Sequence, residues 1–259
     1  MLDISPIPAF NDNYIWLLRR QGTAHSAVVD PGDAAPVIQR LRREGLSLEA
    51  ILITHKHGDH VGGVRELKRV WPDAVIYGPA GEQIPSIERL LTEGDRIELN
   101  GVGAEFQVLD VPGHTEGHIA YLGQGSLFCG DTLFAAGCGR VFSGTHEQLH
   151  RSLQRIAALP PETRLYCAHE YTLDNLGFAA WVEPDNQDLA RRRKGAEEMR
   201  AENRPTVPSR LDLELLTNPF LRSSEPVVIA AAERYAGKKL QSPAAVFTAI
   251  RTWKDREYD

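Results

Sequence analysis

The stretch Ile51-Leu52-Ile53-Thr54-His55-Lys56-His57-Gly58-Asp59-His60-Val61-Gly62-Gly63 carries the most information in this chain. Its apolar, β-branched opening reads as a strand that ends at Thr54. Successive side chains of an extended stretch alternate sides, so His55, His57 and Asp59 are expected on one side, over roughly 13 to 14 Å of chain or less. His60 is expected to begin a turn into a helix at Gly62-Gly63. Three histidines and an aspartate within six positions are costly to crowd together, because imidazolium ions repel and an unpaired buried carboxylate is expensive. A cation that collects them removes both costs. Imidazole and carboxylate suit Zn, Fe or Mn, and without cysteine they would make a poor purely structural zinc site.

Further ligands must come from elsewhere in the chain, and His114, Asp131 and His169 are the candidates. Each follows a strand-like run: Phe106-Gln107-Val108-Leu109, Ser126-Leu127-Phe128-Cys129 and Arg164-Leu165-Tyr166-Cys167. Strand ends are where an α/β sheet presents functional groups. His25, His118, His146 and His150 are assigned structural or surface roles, with a ligand-orienting role as the alternative for His118.

Working outward, strands are expected at 2–8, 14–20, 25–30, 49–54, 74–78, 104–111, 118–122, 125–130 and 163–167, and helices at 34–44, 61–70 and 146–158. Turn chemistry such as Asp30-Pro31-Gly32 separates them, which gives an α/β pattern. After about residue 170 the β-type runs vanish, and helices are expected at 172–182, 186–202, 225–237 and 242–256. Proline breaks at Glu183-Pro184, Asn218-Pro219 and Glu225-Pro226 divide them. The expected domains are therefore 1–170, carrying the metal site, and 171–259, helical. The run Arg191-Arg192-Arg193-Lys194, followed by Glu197, Glu198 and Glu202, reads as a solvated helix face.

With 259 residues the chain can bury a sizeable core unaided, and its apolar runs are far short of a membrane span. Net charge is 29 minus 35, or −6, and residues 1–170 carry all of it, with 15 Lys/Arg against 21 Asp/Glu. Nucleic acid is an unexpected partner for such a surface. Cys129, Cys138 and Cys167 are an odd number without regular spacing, which suits reduced thiols. No basic region followed by an apolar stretch and a cleavage site opens the sequence, so a cytoplasmic location is expected. No nucleotide-binding fingerprint is present, and neither Cys129 nor Cys138 has an adjacent histidine base in sequence, which argues against cysteine nucleophilic catalysis.

His55, His57, Asp59 and His60 match the H-x-H-x-D-H motif of the metallo-β-lactamase superfamily, and His114, Asp131 and His169 follow in family order. The chain thus resembles that superfamily, and the resemblance implies an αββα sandwich with two divalent metal ions, zinc foremost and Fe or Mn as alternatives. One ion would rest on His55, His57 and His114 and the other on Asp59, His60 and His169, with Asp131 bridging. Two such ions lower the pKa of a shared water towards about 7, and hydrolysis is the natural chemistry.

The flanking segments Phe10-Asn11-Asp12-Asn13-Tyr14, Gly137-Cys138-Gly139-Arg140, His169-Glu170-Tyr171-Thr172 and Arg251-Thr252-Trp253-Lys254-Asp255 narrow the resemblance to the glyoxalase II (hydroxyacylglutathione hydrolase) family. That resemblance spans nearly the whole chain. It implies a thioesterase acting on S-(2-hydroxyacyl)glutathione, chiefly S-D-lactoylglutathione, in the second step of methylglyoxal detoxification. A bridging hydroxide would attack the thioester carbonyl, with Asp59 as the catalytic residue that orients it and receives its proton. The C-terminal helices would bind substrate, and Arg140, Tyr171, Arg251 and Lys254 would contact glutathione. Phe142 departs from relatives that carry a tyrosine there, and cannot donate a hydroxyl. Family analogy makes a monomer the expectation. The rival within the superfamily is a glutathione persulfide dioxygenase with a single iron.

Overall fold

A computed structural model describes residues 2–258 and divides the chain into two compact units, Met1–Asp110 with Glu116–Gly130, and Val111–Thr115 with Asp131–Asp259. In the first unit a mixed sheet runs in the order Leu2–Ala9, Asn13–Arg20, His25–Val29, Ser47–Leu52, Val75–Pro79, Arg89–Leu91. Its first three strands pair antiparallel and the later ones parallel. Six consecutive residues of Asn13–Arg20 are buried, as expected of a strand covered on both faces. The strands Arg96–Leu99, Ala104–Asp110, Ile119–Gly123 and Ser126–Gly130 form an antiparallel meander.

Helix Ala34–Glu44 shows why the local sequence folds as it does. Asp33 accepts a hydrogen bond from the Ala35 N–H at the start, and Gly45 ends the helix at φ 65. Ala34, Val37 and Leu41 recur at helical spacing and pack under the sheet with Val28, Ile51 and Ile53. Leu41→Ala would cost about 2–5 kcal/mol by opening a cavity there.

In the second unit the hairpin Leu133–Phe134/Gly137–Cys138 follows Asp131, and helix His146–Ala157 begins with a capping box between Thr145 and Gln148. Strand Arg164–Cys167 pairs antiparallel with Ser209–Arg210. Helices Thr172–Val182, Gln187–Ala201, Leu211–Thr217, Pro226–Ala236 and Pro243–Trp253 follow, and a π-helical turn covers Lys254–Tyr258. Phe178, Phe220 and Phe247 form an aromatic core among these helices, with ring centroids 6.0 and 5.8 Å apart. Among the described residues no helix is long and apolar enough to cross a membrane.

Most expected elements lie within two residues of their expected bounds, and helices Ala34–Glu44 and Thr172–Val182 coincide with them. The expected helix 61–70 is instead two helices, Gly58–Val61 and Val64–Val70, divided at Gly62-Gly63. The division follows from packing: the Gly63 N–H donates to the Pro31 carbonyl, and a β-carbon on Gly63 would sit 2.6 Å from that oxygen. Short elements escaped the sequence reading, namely strands Arg89–Leu91, Arg96–Leu99, Leu133–Phe134, Gly137–Cys138 and Ser209–Arg210, and helix Leu211–Thr217.

Candidate metal centre

In the first unit the strand Ser47–Leu52 delivers Thr54 and His55 beyond its end. His57 is extended at φ −64, ψ 147 and caps helix Gly58–Val61, so Asp59 and His60 sit on a helical turn. This corrects the alternation expected of the sequence, which placed Asp59 on the same extended run as His55 and His57. The glycines make the tight turn feasible: a β-carbon on Gly32 would overlap the Asp59 carbonyl at 1.8 Å.

Buried Asp30, at φ 53, anchors this turn. It accepts from the Thr54 N–H and hydroxyl, both at 2.8 Å, and its Oδ2 lies 3.1 Å from His60 Nδ1. The other ring nitrogen of His60, Nε2, lies 3.4 Å from Asp59 Oδ2. The Thr54 hydroxyl, already donating to Asp30, accepts from His55 Nδ1 at 3.1 Å. That leaves His55 Nε2 as its lone-pair nitrogen, 3.0 Å from His57 Nδ1. Asn13 Nδ2 donates to Asp59 Oδ2 at 3.0 Å and fixes that carboxylate from the neighbouring turn. His118 stacks on His55, rings 4.6 Å apart and 18° from parallel, which favours the orienting role over a surface one.

In the second unit His114, Asp131 and His169 come together. His114 Nδ1 is 2.8 Å from the Arg140 carbonyl, so it donates there and turns Nε2 inward. His114 Nε2 and His169 Nε2 each lie 3.5 Å from a different oxygen of Asp131. That spacing exceeds a good N–H···O hydrogen bond and leaves the carboxylate open to a cation on both sides. Tyr171 stacks on His169 at 4.7 Å and 7°, and Phe134 meets both rings edge-on. Phe142, two-thirds exposed, stands edge-on to His114 at 5.2 Å.

The chemistry of these donors fits a metal: His and Asp side chains form groups able to hold ions, and among the described residues no thiol joins those groups. Cys129, Cys138 and Cys167 are free and buried. Burial pushes the Cys138 thiol up to about 11 and the Cys167 thiol up to about 12, so both stay protonated and unreactive.

The expected substrate-binding residues also lie in the second unit. Arg251 is only 1% exposed: its Nη1 donates to the Cys138 carbonyl at 3.0 Å, Asp255 pairs with it at 2.9 Å, and its guanidinium lies over the Phe220 ring. Lys254, 4% exposed, reaches Asp174 at 3.2 Å and lies over the Tyr258 ring. The half-exposed Arg140 side chain is 3.9 Å from Asp255, and Tyr171 is 37% exposed. Arg251 and Lys254 are thus parts of the helical core as well as cations. The basic run 191–194 also differs from its solvated reading, because the side chain of Arg192 is only 6% exposed and pairs with Glu214, whereas Arg193 forms the expected exposed pair with Glu197.

Several supporting residues were not singled out from sequence: Asp30, Asn13 and Thr54 in the first unit, and Asp174, Asp255 and Glu214 in the second. Asp30 and Asn13 stood inside the turn motifs Asp30-Pro31-Gly32 and Asn11-Asp12-Asn13. Thr54 stood beside His55 and Asp255 four residues after Arg251, whereas Asp174 and Glu214 carry no local signal, since their contacts to Lys254 and Ala136 span long stretches of chain.

Comparison with known proteins finds close relatives over the whole chain. The family model of the metallo-beta-lactamase superfamily matches residues 10–169, and that of the hydroxyacylglutathione hydrolase C-terminus matches residues 170–257. The chain is 56% identical to a hydroxyacylglutathione hydrolase of Alkalilimnicola ehrlichii, covering 99% of this chain and 100% of the relative. It is 53% identical to one from Pseudomonas fluorescens, again covering 99% of this chain and 100% of the relative. The crystal structure of a B3 metallo-beta-lactamase, BLEG-1, superposes with a TM-score of 0.62 at 24% identity, covering 85% of this chain and 99% of that one, which shows the shared fold.

Proposed function

Since the chain belongs to the hydroxyacylglutathione hydrolase family of the metallo-β-lactamase superfamily, we propose that it hydrolyses S-(2-hydroxyacyl)glutathione, chiefly S-D-lactoylglutathione, to glutathione and a 2-hydroxy acid such as D-lactate. The observation that carries this reading is identity of 56% over essentially the full length of both chains, C-terminal helices included. Those helices also distinguish the reading from the single-iron persulfide dioxygenase, which the comparisons do not favour.

The donors would act as one binuclear centre. His55, His57 and His114 would hold one ion, Asp59, His60 and His169 the other, and Asp131 would bridge. In support, each unit gathers donors of the right kind: His55, His57, Asp59 and His60 in the first, and His114, Asp131 and His169 in the second. Zinc is the first expectation, with Fe or Mn as alternatives, because the donors suit all of them. When bound, two such ions supply a water activated near neutral pH and positive charge opposite a developing oxyanion.

The residues of the chain do the rest. Asn13 donates to the Asp59 carboxylate and holds it in place, so that it orients the nucleophile and receives its proton at the carboxylate oxygen. The Arg140 carbonyl fixes His114, so that imidazole does not need to reorient during turnover. Arg140, Tyr171, Arg251 and Lys254 would meet the carboxylates and peptide groups of glutathione, a cationic and hydrogen-bonding surface matched to an anionic conjugate. Residues 1–170 would then be the catalytic domain and 171–259 the substrate-binding domain. A cytoplasmic monomer with no nucleic-acid or membrane partner completes the proposal.

The test pits the two glutathione chemistries against each other. Purified protein is given S-D-lactoylglutathione, with thiol release followed, and separately glutathione persulfide, with oxygen uptake followed. Thiol release that is indifferent to oxygen is the expected result; oxygen uptake with the persulfide and no thioester hydrolysis would reverse the assignment.

A further inference from the structure

Between Asp131 and Arg140 the chain makes the hairpin Leu133–Phe134/Gly137–Cys138, whose turn places Ala136 at φ 58. A residue with a β-carbon adopts that conformation only when its surroundings hold it there. The surroundings here are two buried side chains from the C-terminal helices. Glu214, fully buried, accepts from the Ala136 N–H at 2.8 Å, and Asn218, also fully buried, donates to the Gly137 carbonyl at 3.0 Å and the Phe134 carbonyl at 3.3 Å. Asn218 also donates to Glu214 at 3.1 Å, which joins the two anchors.

Glu214 is held in turn. Its second oxygen accepts from Arg192 and from the Ser209 hydroxyl, and Arg192 also donates to the Thr217 hydroxyl at 2.6 Å. The Asn218 oxygen accepts from the Phe220 N–H. A buried carboxylate, a guanidinium and an amide with this many mutual bonds form a rigid frame, because leaving any one of them unpaired inside the protein is costly. The frame grips the turn of the hairpin, and the two ends of the hairpin lead directly to Asp131 and to Arg140, whose carbonyl orients His114. At the closing end there is no slack, since a β-carbon on Gly139 would overlap the Asp131 carbonyl at 2.0 Å.

We infer that Asn218 and Glu214 are positioning residues that hold the 131–140 segment in the shape that presents Asp131 and Arg140, and thereby set the affinity of the centre for metal. The inference rests on the proposed role of Asp131 as a metal ligand. It gives the C-terminal helices a second task besides meeting glutathione, and it gives Arg192, which the sequence places in an apparently solvated run, a reason to be where it is.

The experiment measures Zn²⁺ affinity by competition with a chromogenic chelator for the full-length wild type, Asn218→Ala, Glu214→Gln and a control, Val228→Ala, which removes a buried side chain of helix Pro226–Ala236 that makes no hydrogen bond to the hairpin. Asn218→Ala and Glu214→Gln are expected to bind Zn²⁺ roughly tenfold or more weakly, in the range seen when partners of metal ligands are removed. Activity lost at limiting Zn²⁺ should return when Zn²⁺ is in excess. Val228→Ala should lower the Tm and keep wild-type affinity. Should Asn218→Ala fail to fold, Glu214→Gln, which keeps the size of the side chain, carries the comparison. Wild-type Zn²⁺ affinity in the anchor variants, or an equal loss in Val228→Ala, would overturn the inference and leave the network a matter of stability alone. Because Zn²⁺ binding is read without substrate, a wild type that binds metal but fails to hydrolyse the thioester would refute the proposed function and still leave the hairpin comparison decisive.

Discussion

In the first unit the proposed ligands His55, His57, Asp59 and His60 fall within six positions, and a strand end, two glycine-permitted close approaches and the carboxylate of Asp30 shape them. In the second unit the ligands come from residues 114, 131 and 169, and their supports range from Tyr171, beside His169, to the Arg140 carbonyl on His114 and to Glu214 and Asn218 on the hairpin after Asp131. The ligands of the first arrangement are neighbours in sequence, whereas those of the second are gathered by tertiary packing. One consequence is that damage to the helical region should reach the metal through the second set of ligands and spare the first.

The largest expected effect comes from Asp131→Ala, which removes the residue proposed to serve both ions. Metal content and activity should fall together, activity by about 100-fold or more, read by elemental analysis beside thioester turnover. Asp59→Asn sharpens the comparison on the local side. It keeps the size and the Asn13 contact while losing the proton acceptor, so at least one ion should be retained while kcat drops by about 10² to 10⁴-fold. Turnover at the wild-type rate would remove Asp59 from its role.

What the sequence discloses follows the same division. The cluster 55–60 is legible because its chemistry is local, and the helices Ala34–Glu44 and Thr172–Val182 are legible from caps, breakers and spacing. Asp59 is the instructive miss: period-two alternation places it on a strand-like run, but Gly58 opens a helical turn that the glycines Gly32, Gly62 and Gly63 make room for. The hairpin strands are two residues each, too short for any periodicity to register. Arg192 and Glu214, 22 positions apart, carry no sign of their pairing, and a basic run looks solvated until the fold buries the side chain of one member of it.

Two further variants separate substrate binding from scaffolding within the tail. Lys254→Ala removes a cation proposed to meet glutathione, and should raise KM about tenfold with metal content unchanged, the loss of one charge-assisted contact. An unchanged KM would take Lys254 out of the site. Arg251→Ala should do more than raise KM: it strips the Cys138 carbonyl and Asp255 of their partner and should lower stability by roughly 2–4 kcal/mol, measured by denaturant unfolding. The smallest effect concerns the thiols. Burial holds Cys138 and Cys167 at about 11 and 12, far above pH 8, so iodoacetamide at pH 8 should leave both unmodified in the native protein and label them after denaturation.

The most direct test of a binuclear glutathione thioesterase is to titrate metal-free protein with Zn²⁺ and follow hydrolysis of S-D-lactoylglutathione at each step, in air and under nitrogen. Activity that rises to a plateau at about two ions per chain, the same in both atmospheres, is the predicted result. Full activity at one ion per chain, or no hydrolysis by the fully loaded protein, would contradict it.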